Sequence, residues 1–257
     1  MEERKQKEIE HYDAGAKRQM KEQGGDFEGF NPSVLGSYRF LYKIAAPLVA
    51  GKKVLDYGCG NGVHSGFLAE HAKEVIGIDL SEGSLEIARK MYKLQVASFK
   101  LQFLKMDCEQ LEFADQSFDA VFDGGTFSSL DFEKAIGEIT RVLRPHGTLI
   151  GIETFGHNPF ANAKRVVNRI TGKRTAWAAS HIVTAKEIAL LRRYFTVVEV
   201  RYFHLVSLFA FPFLALPGGN CMLQFAQRID VLLFALPLLR KYAFKVVFVC
   251  KHPQRPV

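Results

Sequence analysis

Tryptophan occurs once, at Trp177, and cysteine four times, at Cys59, Cys108, Cys221 and Cys250, with no Cys-x-x-Cys pair. That spacing suits neither a zinc cage nor a disulfide framework, so no metal is expected and a reducing, cytoplasmic setting fits best. The opening MEERKQKEIEHYD lacks the apolar run of a secretory leader, and none is expected. Repeats and low-complexity tracts are missing. Carboxylates are missing from one whole stretch, residues 155–183, which nevertheless carries Lys164, Arg165, Arg169, Lys173 and Arg174.

What is present is a 257-residue chain, 48% apolar and 24% charged, long enough to bury a sizeable core, which excludes disorder as its main state. The formal charge of +7 is unevenly placed. Residues 192–257 hold nine Lys and Arg against Glu199 and Asp230, and so carry all of it.

Residues 2–23 read as a solvated amphipathic helix ended by Gly24-Gly25, and residues 33–49 as a second helix. From Gly51 short apolar runs (53–57, 74–78, 100–105, 120–123, 148–153) alternate with helical stretches near 62–71, 81–95 and 131–143. Alternation of this kind marks a parallel sheet with crossover helices. A helix over 184–193, a strand over 194–203 and a last strand over 243–251 follow. The expected fold is α/β: a three-layer αβα sandwich on a seven-stranded, mostly parallel sheet with an antiparallel last strand. Its expected parts are an N-terminal helical lid (1–50), a core (51–203) with a substrate-side insertion (155–183), an apolar insertion (204–242), and the last strand and tail (243–257).

The strand Val54-Leu55-Asp56-Tyr57 runs into Gly58-Cys59-Gly60-Asn61-Gly62 and then a helix. Glycines let backbone approach a ligand, and a helix N-terminus favours negative groups. The dinucleotide fingerprint G-x-G-x-x-G is not met, since Val63 stands where its third glycine belongs. A second strand ends in Gly77-Ile78-Asp79-Leu80, placing a carboxylate where it can accept from both hydroxyls of a ribose. Downstream come Lys105-Met106-Asp107-Cys108, then Phe118-Asp119-Ala120-Val121-Phe122-Asp123, then the block from Glu138 to Leu149, EITRVLRPHGTL.

Together these resemble the class I S-adenosylmethionine-dependent methyltransferases, of the branch acting on small molecules or lipids, over about residues 45–200 and the final strand. His146 replaces one glycine of the family's last block. The resemblance implies S-adenosyl-L-methionine as cofactor. It implies that Asp56, Gly58, Cys59 and Gly60 hold the methionine portion and Asp79 the ribose. Leu80 would pack on the adenine, Asp107 and Cys108 would read its edge, and Asp123 would meet the amino end. Glu10-His11-Tyr12-Asp13 resembles an N-terminal element that some relatives fold over the cofactor, which makes Tyr12 a lid candidate.

A sulfonium methyl needs an aligned, water-free nucleophile, and an oxygen nucleophile also needs a base. His157, beyond the fifth strand, is the first candidate; His181 and Glu153 follow. His204 belongs either to the core or to the substrate wall. Many relatives carry histidines after the fourth strand, where this chain has Ser128-Ser129. Arg165, Arg169, Arg174 and Trp177 are expected to meet an anionic group of the acceptor. The blocks Leu205–Pro217 and Val231–Leu239 are too short to span a membrane, and Pro212 interrupts the first. They serve either as a greasy pocket wall or as a peripheral membrane contact beside Arg240 and Lys241.

The expected activity is methyl transfer to a small-molecule or lipid-linked acceptor, apolar with an anionic group, with oxygen favoured. The alternatives are an RNA methyltransferase, disfavoured because no RNA-binding signature is present, and a non-catalytic cofactor-binding scaffold at a membrane surface. Oligomeric state is not legible.

Overall fold

A computed structural model describes residues 2–22, 35–93, 96, 98, 100–172, 174–214 and 216–254. The expected stop at Gly24-Gly25 lies outside the described residues. The strands are β1 (Lys53–Tyr57), β2 (Glu74–Asp79), β3 (Leu101–Lys105), β4 (Phe118–Asp123), β5 (Leu143–Thr154), β6 (Phe195–Phe203) and β7 (Lys245–Pro253). They form one seven-stranded sheet in the order β3-β2-β1-β4-β5-β7-β6. β1 to β5 pair in parallel, and β7 runs antiparallel to both β5 and β6.

Side chains alternate across a strand, so each strand feeds two cores. Leu55, Tyr57, Ile76, Ile78 and Val121 pack on one face with Ile136 and Ile139 of α5 (Phe132–Val142) and Leu191 of α8 (Ala185–Tyr194). Val54, Val75, Ala120 and Phe122 pack on the other. There they meet α2 (Gly36–Val49) through Leu41 and Ala45, α3 (Ser65–His71) through Leu68, and α4 (Glu82–Met91) through Leu85. The result is the three-layer arrangement expected from the sequence.

Local signals set the helix starts. Ser81 caps α4 by accepting from the amide of Ser84, Asp131 caps α5 through the amide of Lys134, and Thr184 with Glu187 makes a capping box on α8. The stretch 155–183, expected as a substrate-side insertion, is largely helical among its described residues. Asn158 caps α6 (Pro159–Ile170) with Pro159 in its first turn, and Thr175 caps α7 (Ala176–Ser180). β5 starts earlier than expected, because Leu143 already pairs with Phe118.

α1 (Glu3–Glu22) lies against α4. Between β6 and β7 the chain forms a 3-10 segment (Ser207–Phe213), α9 (Gly219–Leu233) and the short α10 (Pro237–Arg240).

Candidate functional site

The carboxyl ends of β1 to β4 surround a cavity of about 270 Å³ roofed by α1. Its floor is the turn after β1, where Gly58 (φ +64°), Gly60 (φ +53°) and Gly62 (φ +82°) all take left-handed backbone. A Cβ on Gly58 would stand 2.3 Å from the side chain of Thr126, so the position admits only glycine on both counts. Thr126 closes on it deliberately: its hydroxyl is 3.2 Å from the carbonyl oxygens of Tyr57 and Gly58 and can donate to either.

Asp79 sits at the cavity edge with both oxygens engaged. The amide of Gly60 donates to Oδ2 at 2.9 Å and the amide of Ser81 to Oδ1 at 2.8 Å. Burial pushes its carboxyl up, against the pull of these amides and that of Leu80. The carboxylate is therefore fixed in direction.

The roof is held by charge. Lys5 lies 2.6 Å from Asp107 and 2.9 Å from Glu109, and Arg4 lies 2.6 Å from Glu109. About two turns further on, Asp13 accepts from the Ser81 hydroxyl at 2.5 Å and from the Gly83 amide at 3.1 Å. Ile9 and Tyr12 face the cavity from between these clamps, with Tyr12 Oη 3.3 Å from Ser129 Oγ. Glu8, also on the wall, accepts from the Thr175 hydroxyl through one oxygen, while its buried Oε2 has no partner among the described residues. A buried acceptor without a donor is costly unless a ligand supplies one.

Of the residues expected from sequence, Tyr12, Gly58, Cys59, Gly60, Asp79, Leu80, Asp107 and Cys108 line this cavity. Asp56 and Asp123 do not. Asp56 is buried behind the turn, accepts from the Ser65 hydroxyl at 2.6 Å and is pushed up to about 7 by burial, so it fastens the start of α3. Asp123 caps its own loop through the amides of Gly125 and Thr126. Burial, and then the neighbouring Glu153, push its carboxyl up. Glu153 is itself pushed up to about 7 by burial and accepts from the amide of Phe127.

The expected bases stand elsewhere. His157 is exposed, edge-on to Phe155, and His181 is exposed and stacked on Trp177 at 3.5 Å. Neither lines the cavity. Trp177 also carries the Arg4 guanidinium 4.5 Å above its ring, so it bears on the outside of the lid. Arg165 is buried, donates to the Phe155 carbonyl and to Asn162, and is lowered to about 10 by burial; it is spent on structure. Arg169 is exposed. Arg174 donates to Ser128 at 2.7 Å, next to the cavity residue Ser129, and so stands as a basic group at the rim, beyond Lys5 on the wall. His204 is buried between the hydroxyls of Ser37 and Ser207, both at 2.9 Å, with Asp230 accepting from Ser207; it is part of the core.

Several cavity residues were not expected from sequence, Lys5, Glu8, Thr126 and His64 among them; of these His64 carries an imidazole. Its Nδ1 is 2.8 Å from Tyr42 Oη, its ring stacks on Tyr38, and burial, then Lys245, lower it to about 4. A neutral imidazole therefore faces the cavity at ordinary pH. Its position just beyond Gly62, at the entrance to α3, was the available signal.

The fold is the α/β, Rossmann-like fold shared by the class I methyltransferases. In sequence, residues 55–151 match the family described as a methyltransferase domain. A demethylmenaquinone methyltransferase of Thermus thermophilus is 39% identical over 107 residues, 40% of this chain and 48% of that protein. A phthiotriol/phenolphthiotriol dimycocerosates methyltransferase of Mycobacterium tuberculosis is 32% identical over 102 residues, 38% of this chain and 36% of that one. The chain thus spans less than half the length of these curated relatives. In fold it is similar to Haemonchus contortus phospholethanolamine N-methyltransferase 2, solved with phosphomonomethylethanolamine and S-adenosylhomocysteine. The TM-score is 0.61 at 19% identity, covering 94% of this chain and 58% of that one.

The residues present fit the cofactor of such a domain. The glycine turn leaves open backbone, Asp79 presents a fixed carboxylate, and Glu8 offers an unsatisfied acceptor. When bound, S-adenosylmethionine supplies a methyl group already activated as a sulfonium.

Proposed function

We infer that this chain binds S-adenosylmethionine in the roofed cavity and catalyses methyl transfer to an apolar small molecule or lipid-linked acceptor, with oxygen as the receiving atom. The observation that carries the reading is the Asp79 carboxylate, clamped by the amides of Gly60 and Ser81 at the edge of a glycine-turn cavity. Gly58, Gly60 and Asp79 would hold the cofactor's polar ends, and Leu80 its ring. The lid keeps water out, which favours in-line transfer.

Support for an apolar acceptor comes from the hydrophobic side of the cavity, Ile9, Tyr12, Val63 and Leu130, and from the lipid and quinone substrates named for the two relatives. Support for oxygen comes from the position of His64, an imidazole on the cavity wall where a group is needed to take the proton that an oxygen nucleophile must lose. Arg174 at the rim is the group suited to an anionic substituent.

Two measurements test this. Calorimetry with S-adenosylmethionine should show binding to the wild type and a loss of at least about tenfold in Asp79→Ala, as expected for losing charge-assisted hydrogen bonds. Mass spectrometry of lipid and small-molecule extracts incubated with protein and deuteromethyl-labelled cofactor should then show a labelled apolar product. Absence of cofactor binding would overturn the enzyme reading in favour of a scaffold, and label found in RNA alone would overturn the acceptor class.

A further inference from the structure

α6 is amphipathic the wrong way round. Its buried side carries Ala161 and Arg165, while Ala163, Val166, Val167 and Ile170, at helical spacing on the opposite side, are exposed, Ile170 by 76%. α9 repeats the pattern. Gly219, Leu223, Ala226 and Asp230 are buried, and Cys221, Phe225, Arg228 and Leu232 line the opposite side, with Phe225 exposed by 66% and Leu232 by 74%. The 3-10 segment joins the two helices: Phe209 meets Phe160 of α6 edge-to-face at 4.8 Å, and the segment packs along α9. Among the described residues, 14 of the 16 large hydrophobics left exposed lie between Phe160 and Leu238, so the exposure belongs to this layer and not to the surface at large.

The charge on the same layer has one sign. Arg169, Arg228, Arg240 and Lys241 are exposed, residues 155–183 hold no carboxylate, and the only one between residues 204 and 242, Asp230, is buried in hydrogen bonds to Ser207 and the amides of Leu205 and Val206. An apolar face with cations and no anions is complementary to an anionic lipid surface, where the greasy side chains enter the headgroup boundary and the long basic ones reach phosphate. Pairing with a second copy would instead set like charges against each other. No helix among the described residues is long and apolar enough to cross a membrane, so the contact would lie along the surface.

We propose that the outer face of α6, the 3-10 segment, α9 and α10 docks on an anionic phospholipid bilayer. The proposal goes beyond methyl transfer and stands without it. α6 begins directly after β5 leaves the carboxyl edge of the sheet, which puts the docking face on the side from which a lipid-linked acceptor would arrive.

The full chain is sedimented with phosphatidylcholine vesicles and with vesicles of equal phosphatidylcholine and phosphatidylglycerol. Binding to the mixed vesicles should be about tenfold tighter than to the neutral ones and weaken with salt. Ile170→Ser with Phe225→Ser and Leu232→Ser should lose about tenfold or more in binding, with melting temperature and S-adenosylmethionine binding unchanged. A polarity-sensitive dye on Cys221 should shift to the blue with the mixed vesicles. No sedimentation with either vesicle, equal binding to both, or an unaffected triple variant would overturn the proposal. So would a dimer in sedimentation velocity that the triple variant dissociates, which would give the face to a second copy.

Discussion

Lys5 of the lid and Asp107 of the loop after β3 are joined by an ion pair of 2.6 Å at the cavity wall. Burial works against the Lys5 ammonium, but hydrogen bonds to Asp107 and Glu109 hold it above its usual range. The helix over the cavity is thus fastened to the residue that the family resemblance assigns to the adenine edge.

Lys5→Met should loosen this roof. A half-buried ion pair of this kind contributes on the order of 1 kcal/mol, so S-adenosylmethionine should dissociate about fivefold faster. Trp177, the chain's single tryptophan, lies under the Arg4 guanidinium and reports the motion. Stopped-flow fluorescence with an unchanged off-rate in the variant would count against the roof as a barrier.

Gly58→Ala should cost stability and cofactor binding together. Left-handed backbone costs a Cβ-bearing residue about 1–2 kcal/mol, and the 2.3 Å approach to Thr126 adds overpacking of about 1–3 kcal/mol. Adding Thr126→Gly removes the second cost, leaves the first and forfeits the Thr126 hydroxyl's hydrogen bond, worth about 1 kcal/mol. Thermal melts should therefore place both variants below the wild type, and unchanged melting of Gly58→Ala would count against the strain.

His204 makes stability depend on acid. Burial, then Lys245 and Arg39, lower it to about 3, so between about pH 6.5 and pH 3 the unfolded chain takes up a proton that the folded one refuses. Stability from this group is present above pH 6.5 and is lost as pH falls. Asp56 and Glu153, both pushed up to about 7, act in the opposite sense, losing their contribution as pH rises from the ordinary carboxylate range through 7. They are common to wild type and His204→Gln, so comparing the two isolates the histidine. The wild type's margin should shrink by up to about 1.4 kcal/mol per pH unit below 6.5 in denaturant titrations. A constant margin would show His204 to be proton-accessible in the fold.

Cysteine chemistry should be confined to one site. Cys59, Cys108 and Cys250 are buried, and burial pushes all three thiols up, whereas Cys221 is exposed on α9. Brief alkylation at mildly alkaline pH should modify Cys221 alone, as peptide mapping would reveal, even though Cys59 lines the cavity.

The cofactor side was legible because backbone constraints dictate residue type there. Gly58 is forced by φ and by Thr126, and Asp79 follows from the position of a strand end, so a linear pattern was enough to find both. The acceptor side depends on contacts between residues far apart in sequence. His64 follows the glycine turn in sequence, but its burial and its contact with Tyr42 arise only in the fold, and Arg165 and His204, conspicuous by type, are absorbed by Phe155 and by Ser37. α6 escaped notice because its apolar spacing serves the outside of the molecule, while its cap, Asn158-Pro159, reads equally well as a turn.

Phe203 and Lys245 are ladder partners across β6 and β7. The chain therefore leaves the sheet and rejoins it at a single point, and everything between is, topologically, one oversized hairpin loop. Such a cassette can be exchanged, lengthened or trimmed in descent without disturbing any strand's register or the glycine turn on the far side of β4. Whatever surface that loop presents can then evolve at a different pace from the cavity at the carboxyl ends of β1 to β4.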